Sequence, residues 1–434
     1  MAERHVVVIG SGVGGLTAAV ALAQRDWRVT VLERAPSLEP VGAGIGLAPN
    51  AQRALDVIGL GDEIRDLASW QGAGGLRAPG GRWLSRTDSA AVTARFGGPI
   101  VLIHRATLIE RLASRLPEGT LRTGTRAALT DPGLPGARPA RVTVATGTAD
   151  VPDATGTADV PDATGTADVP DTADTAGTGE AFTADLVIGA DGIHSATRRR
   201  LFPRHPGPRY TGFTTWRSVI PGLGEPFAPH ETWGPGSLWG SLPLQDGRIY
   251  AYAAALAPEG RRADDEKAEL RRRFGGWHHP VPEAIAAMEP ERILRHDVHH
   301  LIDPLPAFHG GRTALVGDAA HAMTPNLGQG GNQAVEDAIV LAHHLGGDDL
   351  ATALAAYSAD RLPRTTAIVR QGARVARLVG VRSAPGVAVR AALMSLAGRL
   401  GPAAAARAFD GIADWRPPGP PYPDRAPHGP VSRA

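Results

Sequence analysis

The 434-residue chain contains no cysteine. That excludes disulfides, thiolate nucleophiles, iron–sulfur clusters and cysteine-based zinc sites together. Any redox chemistry therefore has to come from a bound organic cofactor or from histidine and carboxylate metal ligands. Lysine is almost missing too, Lys267 being the only one, and the arginine-dominated usage carries no functional message by itself. Nor is there an excess of one sign of charge: 45 basic residues face 44 acidic ones, which leaves no bulk attraction for nucleic acid or an anionic membrane. A long apolar span is also wanting. The stretch from His5 to Gln24 has no formally charged side chain, but Gly10, Gly12, Gly14 and Gly15 interrupt it and no basic segment of the usual signal-peptide kind precedes it. The expectation is a soluble, cytoplasmic protein of two or three domains.

Low-complexity sequence is what the chain has instead. The nonapeptide Ala-Thr-Gly-Thr-Ala-Asp-Val-Pro-Asp starts at Ala145, again at Ala154 and again at Ala163, then degrades through Gly179. It holds too few large apolar side chains to offset the entropy of ordering it, so disorder is expected. A calcium-binding β-helix is the sharper alternative, but its Gly-Gly-x-Gly-x-Asp pattern is missing. Strand-like flanks, Arg141–Ala145 and Phe182–Ile188, place the repeats in an expanded hairpin loop. A proline-rich end, Arg416–Ala434, reads as a disordered tail. Ala351–Phe409 is alanine-rich, with apolar residues at helical spacing and arginine at intervals, and predicts amphipathic helices; Pro363 and Pro385 should mark breaks or first turns. Between Gly207 and Pro280, Thr, Trp, Tyr and Val alternate with Gly-rich turns, which predicts antiparallel sheet.

Three strand–turn units carry the chemistry. Val6–Ile9 is a fully apolar run that leads into Gly10-Ser11-Gly12-Val13-Gly14-Gly15, a G-x-G-x-x-G turn, and then a helix from Leu16 to Gln24. The glycines allow a tight turn and let backbone N–H groups at a helix N-terminus approach a pyrophosphate. A second strand, Arg28–Leu32, ends at Glu33, where a carboxylate can accept hydrogen bonds from an adenosine ribose. The second unit is Asp185–Ile188 followed by Gly189-Ala190-Asp191-Gly192. The third is Thr313–Val316 followed by Gly317-Asp318, Pro325, the turn Gly328-Gln329-Gly330-Gly331-Asn332 and a helix through Leu345. Seen alone, Asp191 could merely close a turn and Asp318 merely cap a helix.

With these motifs in this order, from about residue 5 to residue 375, the chain resembles the single-component FAD-dependent aromatic hydroxylases built on the p-hydroxybenzoate hydroxylase fold. The resemblance implies an α/β protein: a Rossmann-like FAD-binding domain (1–72, 99–205 and 290–345, with 145–179 as the repeat loop), a mixed β-sheet substrate domain (73–98 and 206–289), C-terminal helices (346–415) and the tail (416–434). It also implies FAD as bound cofactor, with Gly10, Gly12, Gly14, Gly15, Glu33 and Arg34 toward its ADP half. Arg105 and Asp318 would lie along the ribityl chain, and Asp191 near the pyrophosphate and the NAD(P)H path. Gly46, Pro325, Gly328, Gly330, Gly331 and Asn332 would surround the flavin ring. NAD(P)H would be a transient co-substrate, and a C4a-hydroperoxyflavin would pass oxygen to a small aromatic or electron-rich substrate. No metal is expected, because His194 and His321 lack a second ligand at suitable spacing.

On the substrate side, Trp216, Trp233, Trp239, Trp277, Tyr210, Tyr250 and Tyr252 crowd into an aromatic-poor chain, which fits either a pocket for a flat substrate or an ordinary sheet core. Some phenol-activating relatives place His or Tyr near Tyr210–Arg217; here Phe213 and Trp216 stand there, and Arg217 is the ionisable candidate for a catalytic role. Three alternatives stay open: a same-fold epoxidase, reductase or halogenase; an NAD(P)-dependent dehydrogenase; and a flavin-binding interaction protein without turnover.

Overall fold

The computed structural model describes residues 4–38, 43–68, 72–145, 180–347 and 349–419. The repeats (146–179), Gly42 and the tail beyond residue 419 lie outside these residues.

A six-stranded sheet organises the N-terminal motif. Its order is His309–Gly310, Thr313–Leu315, Leu186–Gly189, His5–Ile9, Arg28–Leu32 and Leu121–Arg122. All neighbours run parallel except the His309–Gly310 edge. His5–Ile9 is central, and its side chains are buried on both faces, as its uninterrupted apolar run predicts. Because the strands are parallel, Gly10, Glu33, Ala190 and Val316 leave the sheet at the same edge. That edge is where open α/β sheets bind ligands.

The helix Val13–Ala23 is buried over almost its whole length, packed between this sheet and the equally buried helix Gly330–His344. Small residues make the approach possible: a Cβ on Gly14 would lie 3.1 Å from the Ala334 Cβ. A three-stranded antiparallel sheet, Arg126–Asp131, Ala140–Ala145 and Ala181–Ala184, lays Leu129, Val142 and Val144 against Val7, Ile9 and Leu32. The two strands that flank the repeats are thus hairpin partners, in register Thr143 to Ala181. The second flank is not one strand: it divides at Asp185, and Leu186–Gly189 joins the parallel sheet instead.

The seven-stranded sheet runs Leu294–His300, Arg209–Ile220, Ile249–Leu256, Ser237–Pro243, His230–Gly234, Ala73–Arg77 and Trp83–Asp88. Leu294–His300 pairs with Arg209–Ile220, so the sheet extends past residue 289, the end of the substrate domain that the resemblance implies. One face packs Trp216, Trp239, Ile220 and Ala253 on the helices Glu266–Phe274 and Val281–Ala287. The other face looks toward the nucleotide edge and the long helix Leu350–Val379. Pro363 sits inside that 30-residue helix and does not break it. The proline is exposed, so the carbonyl that loses its donor one turn earlier can turn to water. Pro385 opens the helix Ala384–Gly398 in its first turn, where a missing N–H costs nothing.

Candidate active site

The first turn is shaped for a nucleotide. Gly10 has φ +103°, and a Cβ there would be 2.4 Å from the Ala190 carbonyl oxygen; at Gly15 it would be 2.1 Å from the Gly10 oxygen. These two glycines are demanded by the protein itself. Gly12 is different: the nearest atom to a Cβ there is Arg105 Nη2, at 3.9 Å, so its missing side chain leaves space open in front of the helix N-terminus. Glu33 sits beside the turn, its Oε2 accepting from the Ser11 N–H (2.8 Å) and hydroxyl (2.7 Å) and its Oε1 from the Ala35 N–H (2.9 Å). Arg34 follows it, exposed.

Asp191 uses its carboxylate on its own turn: Oδ1 accepts from the Ser195 hydroxyl (2.5 Å), Oδ2 from the Thr197 N–H and hydroxyl (both 2.9 Å). What this segment offers Gly10 is backbone. Asp318 is the opposite case: exposed, with no hydrogen bond to its carboxylate among the described residues, and with Oδ1 lying 3.9 Å from where a Gly330 Cβ would be. Arg198, in the helix Ala196–Leu201 that follows the Asp191 turn, staples the two turns together. Its buried guanidinium donates to the Ile193 carbonyl (2.5 Å) and the Ala319 carbonyl (3.1 Å).

Behind Asp318 lies a buried charge cluster. Asp337 Oδ2 accepts from the Gly317 N–H (2.8 Å) and from His321 Nε2 (2.5 Å), while Oδ1 accepts from Arg361 Nε (2.8 Å). Burial alone would raise the Asp337 pKa, but His321 and Arg361 hold it below the usual carboxylate range. Asn332 is a clamp: its Oδ1 accepts from the Ala48 N–H (2.8 Å) and its Nδ2 donates to the carbonyls of Gly46 (2.8 Å) and Gly328 (2.7 Å). It ties the strand Gly44–Leu47 to the turn Pro325–Gly331, so the two backbone walls of a cleft are held at a fixed spacing. Gly328 itself takes φ +61° with nothing near a would-be Cβ, and Gly331 lies against Ile45.

Arg105 and the sheet face complete the cleft. Arg105 is solvent-accessible, yet desolvation lowers its pKa; Asp318 opposes the shift and Arg217 adds to it. Accessible yet poorly hydrated is the condition of a cation on a cleft floor. Strand pairing puts Arg217, Tyr252, Gly240 and Glu231 in one row on the same face. Tyr250, two residues from Tyr252, lies on Gly44, where a Cβ would be 2.5 Å from its ring. Arg217 lies near the Tyr250 phenol, whose ionised form it favours, and donates from Nη2 to His296 Nδ1 (3.1 Å). Desolvation and Arg217 lower the His296 pKa to about 4, so the neutral ring can accept that bond. Burial raises the Tyr250 pKa against the opposing arginines, and it raises the Tyr252 pKa further with Glu231 alongside. Neither phenol is poised as a base. Glu231 accepts from the Tyr252 hydroxyl (2.6 Å) and the Trp233 indole (2.9 Å).

The aromatic set divides by strand parity. Trp233, Phe213, Tyr250 and Tyr252 belong to the cleft side, whereas Trp216, Trp239 and Trp277 pack with the helices behind the sheet. Tyr210 donates to the Ala257 carbonyl (2.7 Å), away from Arg217. Spacing of two within a strand marks Tyr250 with Tyr252, and Glu231 with Trp233, as sharing a face; what brings those strands, and that of His296, beside Arg217 left no local signal. No group of three or more His, Asp or Glu among the described residues is placed to hold a metal ion.

Open space at Gly12, the accessible Asp318 carboxylate and the Arg105 cation fit a flavin dinucleotide extended from the first turn to the Gly44–Gly331 cleft. Residues 3–372 match the family described as FAD binding domain. The aurachin C monooxygenase/isomerase of Stigmatella aurantiaca is 35% identical over 396 residues, covering 90% of this chain and 94% of that one. The FAD-dependent urate hydroxylase of Klebsiella pneumoniae is 32% identical over 376 residues, covering 84% and 87%. A crystal structure of Klebsiella pneumoniae HpxO complexed with FAD and uric acid superposes with a TM-score of 0.77 at 26% identity, covering 95% of this chain and 96% of that one. The fold, the dinucleotide edge and these relatives place the chain in the FAD binding domain family, as an FAD-dependent monooxygenase of the p-hydroxybenzoate hydroxylase fold.

Proposed function

We propose that the protein hydroxylates a small, flat, electron-rich ring, taking electrons from NAD(P)H. The balance is one ring C–H, one NAD(P)H, one proton and one O2 giving one C–OH, NAD(P)+ and water. FAD, when bound, supplies the hydride acceptance and oxygen activation. The chain's own residues hold and shield it. Arg105 and Asp318 position the ribityl side, and Pro325 and Gly328 shape the turn under the ring. Backbone N–H groups at Gly330 and Gly331 favour negative charge at the ring's pyrimidine edge. The Asp191 turn sets the spacing at the pyrophosphate through backbone.

The observation that carries the substrate class is the Arg217 cluster. Arg217 stands on the cleft face beside Tyr250 and donates from Nη2 to the neutral His296. A guanidinium held on the cleft wall favours an oxygen or anionic nitrogen on a planar substrate. The urate hydroxylase relative, by its name, acts on such a ring.

The test is aerobic NADH and NADPH oxidation by the purified yellow protein with a panel of phenols, hydroxylated heteroaromatics and olefins, with products followed by mass. Oxidation stimulated by a ring compound that gains one oxygen atom supports the proposal. Turnover confined to olefins, or hydride acceptance without oxygen transfer, overturns it.

A further inference from the structure

The helix Ala384–Gly398 has two faces of opposite kind. Its inner face is well anchored. Met394 packs beside Trp233, Leu238 and Val379, and the buried Arg390 donates to the Gly234 and Leu378 carbonyls (both 2.8 Å). At Gly398 a Cβ would lie 2.6 Å from the Leu84 carbonyl oxygen, so the helix rests with its backbone on the strand Trp83–Asp88. Its outer face is a stripe of Val389, Leu393 and Leu396, continued by Leu400 just past its end. They are 58, 63, 60 and 74% exposed, with Leu378 of the preceding helix at 53%. Steps of four, three and four residues put them on one side. Only one other large hydrophobic among the described residues, Leu134, is exposed, so this is a patch rather than the scattered exposure every surface shows.

Charge says what covers it. From Arg361 to Phe409 the chain has arginines but not one aspartate or glutamate. Arg374, Arg377, Arg382 and Arg399, all exposed, flank the stripe. In a chain whose total charge is +1, these exposed arginines make a local excess of positive charge beside the stripe. A symmetric second copy would bring the arginines of this segment against their own kind, with no acid within residues 361–409 to relieve them.

We propose that this face docks on an anionic lipid surface, with the Val389–Leu400 stripe in the headgroup–acyl boundary and the arginines on the phosphates. The attachment is peripheral, since no helix among the described residues is long and apolar enough to cross a membrane. It is independent of which ring the enzyme oxidises.

The experiment is co-sedimentation of the full, FAD-loaded chain with phosphatidylcholine vesicles, with and without phosphatidylglycerol, at low and high salt. Binding should require phosphatidylglycerol and weaken with salt. Leu393→Glu with Leu396→Glu should lower partitioning about a hundredfold or more, and Arg377→Gln, Arg382→Gln and Arg399→Gln about fivefold each. All variants should keep the flavin spectrum and melting temperature. No binding to phosphatidylglycerol vesicles, or binding indifferent to both sets of substitutions, overturns the proposal. A dimer dissolved by Leu393→Glu and Leu396→Glu without vesicle binding overturns it in favour of a second copy.

Discussion

A methyl group on Gly10 would meet the Ala190 carbonyl oxygen at 2.4 Å in a backbone conformation of φ +103°, whereas one on Gly12 would meet nothing nearer than 3.9 Å at φ −66°. The two glycines therefore separate folding from cofactor binding. Gly10→Ala combines left-handed strain with a backbone clash and should cost upwards of about 3 kcal/mol, seen as a large drop in melting temperature even without flavin. Gly12→Ala should melt like the parent as apoprotein, yet bind FAD at least about tenfold more weakly, because the added carbon stands where a pyrophosphate must approach. Flavin-fluorescence titration reads this directly, and unchanged affinity in Gly12→Ala would remove the pyrophosphate from that turn. At this scale the sequence is most informative, since turn, helix and terminal acid are neighbours along the chain. It is least informative where one residue has two uses: spacing marks Asp191, but only coordinates show its carboxylate closed on Ser195 and Thr197.

At the scale of elements, a helix through Leu345 and helical spacing after Ala351 are legible in the sequence, but the unbroken passage of Leu350–Val379 through Pro363 and the ions between the two helices are not. Arg361 reaches back to Asp337 and Glu336 across 24 and 25 residues, and Asn332 reaches Ala48 across 284. No local pattern encodes such pairs. Arg361 is 1% exposed, and Glu336 and Asp337 are fully buried, so its loss leaves Glu336 to Arg364 and Asp337 to His321 and the Gly317 N–H, each short of a cation's hydrogen bonds in low dielectric. Arg361→Met should cost about 3–5 kcal/mol, measured as a shift in the urea midpoint. Arg361→Lys should recover only part, because one ammonium cannot reproduce the fork that meets Asp337, Glu336 and Gln333 together. Since Asp337 also holds the Gly317 N–H, Arg361→Met should weaken FAD binding as well. A midpoint unchanged by Arg361→Met would mean that the cluster contributes nothing net.

Across the whole molecule, the nucleotide edge is assembled from strands that are far apart in sequence, and the intervening segments are free to vary as long as each strand returns in register. The repeats test this most severely. Their flanking strands close a hairpin through the register Thr143 to Ala181 and a bond from the Val144 N–H to the Glu180 carbonyl (2.9 Å). Leu129, Val142 and Val144 bury their side chains against Val7, Ile9 and Leu32 of the parallel sheet. Replacing 146–179 by a four-residue glycine-containing turn should therefore leave FAD stoichiometry and turnover unchanged. Closing a loop costs entropy that grows with the logarithm of its length, so the shortened chain should gain about 2 kcal/mol, a higher urea midpoint at an unchanged slope. Loss of flavin or of folding on excision would show that the segment contributes contacts the hairpin depends on, and the repeats would then have to be counted as part of the fold.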